Sequence, residues 1–210
     1  MIRSPFLAIV AGFLAGCASG PTIDYSAVLQ AAPECCKSFA EMKFEALAAN
    51  SWTTTDISPS APAFLFREGK SYFKSFSLPS AASKGVLRVK SFSIYPDSLY
   101  HGHLFLPRFT FLDARYSITR TIAPRLRENR PVIGNTAWEG EIPMQAGESF
   151  LVVHTGSVER ATEVRMYDPD VGAVYVHMPR GGGVLIGNPK GNRVVPIGPT
   201  GKLELQIDTK

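Results

Sequence analysis

The sequence predicts a mainly β fold: an antiparallel β-sandwich, jelly-roll-like, with a short helical segment near its N-terminus. Three observations carry this. Short apolar and alternating runs succeed one another from residue 64 to the end. Turn residues punctuate them about every ten residues, at Gly134, Gly147, Gly172, Gly181, Gly183, Pro189, Pro199 and Gly201. Helical spacing is confined to a few brief segments.

The elements follow in order. Residues 18–33 form a tether containing one short helical piece, Tyr25–Ala31. Fully extended, that stretch would span about 50 Å at ~3.3 Å per residue. Residues 38–49 predict a brief helix, because Phe39, Met42, Ala46 and Ala49 recur at spacings of three or four. Residues 51–62, rich in Thr, Ser and Pro, predict a loop or an edge. A strand at 72–78 is bounded by Gly69 and Pro79. Residues 86–94 alternate Leu87 and Val89 against Arg88 and Lys90, and then present Phe92 and Ile94 on the polar face.

Residues 104–112 are apolar on both faces, Phe105, Phe109 and Phe111 on one and Leu104, Leu106 and Leu112 on the other. That pattern predicts a central strand covered on both sides, with Pro107 requiring a bulge or an unpaired position. Strands at 138–144, 149–155 and 174–178 follow. Lys202-Leu203-Glu204-Leu205-Gln206-Ile207 closes the chain with strict alternation, the signature of a half-exposed strand. A helix is expected at 158–166.

The N-terminus predicts where the protein works. Arg3 precedes an apolar run over residues 5–14, then small residues lead to Cys17 in Leu14-Ala15-Gly16-Cys17. This is a secretory layout, too short for a membrane span. It resembles a bacterial lipobox, with residues 1–16 removed and Cys17 lipid-modified. Several acyl chains, at about 0.8 kcal/mol per buried methylene, anchor a protein stably. Ala18 replaces the aspartate that would retain such a protein at the inner membrane, so an outer-membrane lipoprotein facing the periplasm is expected. The domain plan is then a signal at 1–16, an anchored tether at 17–33 and a β-rich periplasmic domain at 34–210. Within the last, a small part (34–80) would pack on a sandwich (81–210).

The formal net charge of +4, with 19% charged residues, provides no concentrated basic face, and no nucleic-acid partner is expected. The other two cysteines, Cys35 and Cys36, are adjacent. In an oxidising compartment they close a vicinal ring, pair with another chain, or stay reduced and buried.

The chain carries no Gly-x-Ser-x-Gly elbow, His-Glu-x-x-His, phosphate-binding loop or dinucleotide fingerprint. No cofactor and no enzymatic activity are therefore expected. His101 and His103 share one face if extended, and with His154 or His177 they have the residue types of a metal site. With no acid beside them, a polar loop is preferred and no metal is assigned. Asp168-Pro169-Asp170 suits calcium, yet a turn needs the same residues and is preferred. Arg115, Arg120, Arg125, Arg127 and Arg130 crowd one stretch, either a solvated loop or a surface for lipopolysaccharide or an acidic protein partner. Trp52, Trp138, Tyr95, Tyr100, Tyr167 and Tyr175 are the side chains suited to stacking on sugar rings. Trp52, Trp138 and Tyr100 are the expected ligand contacts.

Several stretches resemble the maltose operon periplasmic protein family. They are Cys35-Cys36-Lys37-Ser38-Phe39-Ala40-Glu41, and Phe64-Leu65-Phe66 leading to Gly69-Lys70-Ser71-Tyr72-Phe73. Phe111-Leu112-Asp113-Ala114, Phe150-Leu151-Val152-Val153-His154-Thr155 and Pro199-Thr200-Gly201-Lys202-Leu203 complete the set. The resemblance implies a periplasmic or lipid-anchored protein associated with maltose and maltodextrin uptake, without catalytic activity. It transfers no functional residues. The expected function is assistance of maltodextrin uptake, by binding glucan or by docking on a maltose-system protein. The alternative is an envelope assembly factor using residues 115–130.

Overall fold

The computed structural model describes residues 25–94, 103–129, 137–156, 163–166, 174–177, 183–186 and 193–209. The chain is mainly β. Helix α1 (Tyr25–Ala31) is followed by β1 (Glu45–Ala46), β2 (Thr53–Ile57), β3 (Ala63–Phe66), β4 (Gly69–Tyr72), β5 (Lys74–Ser77) and β6 (Val86–Ile94). Then come β7 (His103–Leu104), β8 (Arg108–Leu112), β9 (Ile118–Ile122), β10 (Arg127–Asn129), β11 (Ala137–Pro143) and β12 (Phe150–His154). The last are β13 (Glu163–Met166), β14 (Val174–His177), β15 (Gly183–Ile186), β16 (Arg193–Pro196) and β17 (Gly201–Asp208).

Two sheets form the sandwich. One has the order β1-β5-β12-β8-β9; the other runs β10-β11-β6-β17-β2, with β7 added on β6. The ladders are antiparallel except β1 on β5, which is parallel. Between the sheets lies one core. Phe76, Phe109, Phe111, Leu151 and Val153 enter it from the first sheet, and Ile57, Leu87, Val89, Leu203, Leu205 and Ile207 from the second. Alternation places these side chains on one face of each strand.

The first sheet is covered on its other face as well. Leu112 and Val152 pack there with Cys36, Met42, Phe64, Phe66 and Phe73, a second cluster fringed by Phe39, Phe44, Tyr116 and Phe150. The two-faced apolar pattern of residues 104–112 is thus explained, and so is Pro107. His103–Leu104 pairs with β6 in the second sheet, while Arg108–Leu112 lies in the first. Pro107 sits in the crossover between sheets, where no ladder bond needs its missing N–H. Gly201 permits this crossing, since a Cβ there would lie 2.2 Å from the Cβ of buried Phe105.

Several expectations are corrected. Residues 38–49 make one 3₁₀ turn, Phe39–Glu41, and then extend. Ser75 Oγ donates to the Lys43 carbonyl at 2.7 Å, and β1 pairs with β5, so strand addition displaces a second helical turn. The predicted 72–78 strand breaks at Phe73 into β4 and β5. The predicted helix at 158–166 contains β13, paired with β16. Residues 34–80 provide β1 and β5 to the first sheet and β2 to the second, while β3 and β4 pair as a two-stranded sheet of their own.

Helix α1 forms where expected but is docked, not extended. Leu29 is fully buried in the main core, and Lys70 Nζ donates to the carbonyls of Gln30, at 3.0 Å, and Ala32. Cys35 and Cys36 are bonded to each other, with Cys36 buried in the second cluster. Among the described residues no helix is long and apolar enough to cross a membrane.

Candidate functional site

The open surface is the outer face of the second sheet. Across β11, β6 and β17 the residues Glu139, Lys90 and Glu204 stand in one row, and Glu141, Arg88 and Gln206 in the next. Arg88 pairs with Glu141 at 3.3 Å and Asp208 at 3.1 Å; Lys90 lies 3.9 Å from both Glu139 and Glu204. Cross-strand pairs of this kind contribute a few tenths of a kcal/mol each when exposed. Their greater consequence is a flat floor on which two cations each face two carboxylates.

A cleft of about 580 Å³ opens on that floor. It is lined by Trp52 on one side and by Arg125, Arg127 and Asn129 on the other. Trp52 precedes β2 and is 41% exposed. The exposed large hydrophobic residues among those described are Val28, Trp52, Leu65 and Ile118, and of these only Trp52 is aromatic. Lys90 Nζ lies 4.3 Å from its ring centroid, a cation–π contact that fixes the indole against the floor. An aromatic ring beside many hydrogen-bonding groups suits a polyhydroxylated ring, which offers C–H faces and hydroxyl edges.

The other candidate contacts fall elsewhere. Trp138 neighbours Glu139 in β11 and so turns to the opposite face, half-buried against Leu104. Its indole N–H has no hydrogen-bond partner among the described residues. Tyr100, like Tyr95, Tyr167, His101, Asp168 and Asp170, lies outside the described residues, as does Cys17; Tyr175 and His177 are described only as part of strand β14.

His103 and His154, the histidines whose side chains are described, are each held by different partners. His103 is buried, and its Nε2 is hydrogen-bonded to the Thr200 carbonyl at 3.0 Å and hydroxyl at 2.9 Å. Burial lowers its pKa, opposed by the Thr200 backbone bond. Gly198 packs on the ring, since a Cβ there would lie 2.0 Å from Cδ2. His154 is buried in the first sheet, stacked 3.7 Å from Phe66, and Nε2 shares a 3.0 Å hydrogen bond with Thr110 Oγ1. Among the described residues no group of three His, Cys, Asp or Glu side chains is arranged for a metal.

Of the arginine stretch, Arg130 lies outside the described residues, and those described do not act as one surface. Arg120 is withdrawn from the stretch: it is bonded to buried Glu148 through Nε and Nη2, donates to the Pro143 carbonyl at 2.7 Å, and lies over Phe111. Arg125 and Arg127 are exposed on the cleft. A smaller cavity of about 370 Å³ lies beside Phe39, Phe66, Thr110 and Thr121, where Arg108 pairs with Glu68 at 3.4 Å.

Sequence reasoning identified Trp52, Arg125 and Arg127 separately without joining them. Lys90 and Glu139 appear in the sequence only as polar halves of two alternating strands; their register makes them one floor. No known protein family, curated protein or solved structure matches the chain.

Proposed function

We propose that the chain is a non-catalytic periplasmic lipoprotein whose β domain binds glucan chains, maltodextrins among them, and thereby assists carbohydrate uptake. The observation that carries this reading is Trp52, half-exposed and held by Lys90 at the wall of a polar cleft. Anchoring through Cys17 at the outer membrane would keep the cleft on the periplasmic side, supported by the Leu14-Ala15-Gly16-Cys17 sequence. The short segments that resemble the maltose operon periplasmic protein family favour the same context.

Calorimetric titration of the full-length chain in detergent with maltose through maltoheptaose tests the reading. Saturable binding that strengthens with chain length and is lost in Trp52→Ala is expected. No binding by any of these sugars would overturn it.

A further inference from the structure

We infer that the Trp52 cleft is selective for anionic saccharides, chains bearing carboxylate or phosphate groups, through Arg125 and Arg127. The inference rests on the saccharide-binding reading above and narrows its ligand. Its basis is the partition of charge on the sheet face. The two cations of the floor each already face two carboxylates, Arg88 with Glu141 and Asp208, Lys90 with Glu139 and Glu204. Among the described residues, Arg125 and Arg127 are in no ion pair, and both line the cleft.

Their position is built in. Exposure alternates along this segment, with Arg125, Arg127 and Asn129 exposed and Leu126 and Glu128 half-buried, and Glu128 also lines the cleft. Arg125 and Arg127 therefore project to the same side, two residues apart. Arg127 stands opposite Glu139 in the ladder, but that carboxylate reaches across to Lys90. Gly140 seats the segment against β11. A Cβ there would lie 2.8 Å from Leu126 Cδ2 and 3.1 Å from the Arg125 carbonyl oxygen, so a larger residue would require the Leu126 side chain to turn and the Arg125 backbone to give slightly.

The chemistry follows from the guanidinium. It stays charged, and its planar fork of N–H donors matches the two oxygens of a carboxylate or phosphate. A sugar ring stacked on Trp52 would leave its neighbours along the chain crossing the floor toward these two forks. Neutral hydroxyls hydrogen-bond to arginine too, but only an anionic substituent gains the added charge-assisted strength.

The test is titration of the full-length chain in detergent with maltohexaose, hexagalacturonate and a phosphorylated mannohexaose, at about 20 and about 200 mM salt. At low salt at least one anionic hexamer should bind about tenfold more tightly than the neutral one, with the advantage shrinking at high salt. Which of the two gains identifies the anion. The Arg125→Gln/Arg127→Gln pair should remove that advantage, so that the anionic hexamers bind no more tightly than maltohexaose to the same variant, whereas Trp52→Ala should weaken all three. Equal affinities, or an advantage that survives the double substitution, would overturn the anionic preference and leave saccharide binding standing. Absence of binding by every sugar would overturn both.

Discussion

Replacing Glu148 with alanine should destabilise the fold by about 2–4 kcal/mol, and the structure provides the terms. Its side chain is 1% exposed, and it accepts from Arg120 Nε and, at 3.1 Å, Nη2, and from the Gln145 N–H at 2.8 Å. Breaking a buried ion pair by removing one partner typically costs about 3–5 kcal/mol, because a charge is left in low dielectric. Here the loss is moderated, since Arg120 is 17% exposed and keeps the Pro143 carbonyl and the Phe111 ring 4.5 Å away. Glu148→Gln retains an acceptor and removes the charge, so about 1–2 kcal/mol is expected.

Urea unfolding of the full-length chain in detergent measures these differences through the midpoint at constant slope. Arg120→Ala should cost at least as much as Glu148→Ala, because it leaves the carboxylate buried. The double variant should fall short of the sum by about 2 kcal/mol. A Glu148→Ala loss below about 1 kcal/mol, or strict additivity, would refute the assignment of this pair as a fastening between β9 and the turn after β11.

Three further outcomes are expected. Trp52→Ala should cost about 1–2 kcal/mol, since more than half of the side chain is covered and its contact with Lys90 is lost, while abolishing glucan binding in calorimetry. Gly201→Ala should cost about 1–3 kcal/mol in the same urea assay, because the neighbouring Phe105 Cβ is fixed to its backbone and cannot rotate away. For His103 the folded state disfavours the charged form, so its pKa lies below the ordinary 6.5 and the unfolded chain takes up the proton first. Its contribution is fully present above that pH and is lost as pH falls toward the folded pKa; unfolding followed between about pH 7 and pH 5 should show His103→Gln losing less stability than the parent.

Much of the sandwich is legible in the sequence because one physical rule, the period of two, governs it. Leu203, Leu205 and Ile207 alternate with Lys202, Glu204 and Gln206, and each set takes the face its chemistry demands. The double covering of Phe109, Phe111 and Leu112 follows from the same rule applied to both faces. The helical expectation at 38–49 rested on four residues, too few to outweigh β1's pairing with β5, whose partner lies some thirty residues away. Register is harder still. Nothing local in the sequence says that Lys90 stands between Glu139 and Glu204, since that depends on β11 and β17 choosing opposite edges of β6. The candidate site was therefore visible as a tryptophan and an arginine-rich stretch, but not as a place.

The layering also explains why a ligand surface falls where it does. The first sheet is buried against the core on one side and under Phe64, Phe66 and Phe73 on the other, so its strands offer little open face. The second sheet keeps its outer side in water and pairs its cations there. A floor whose two cations each already face two carboxylates has little affinity to offer an anion. Recognition then falls to what the pairs do not consume, the indole of Trp52 beside β2 and the guanidiniums of Arg125 and Arg127 beside β11. These sit toward opposite margins of one flat surface, a spacing that suits an extended chain of rings better than a single small molecule. Length dependence in the titration is for that reason the more searching test: a monosaccharide that bound as well as a hexamer would be incompatible with contacts spread across the sheet.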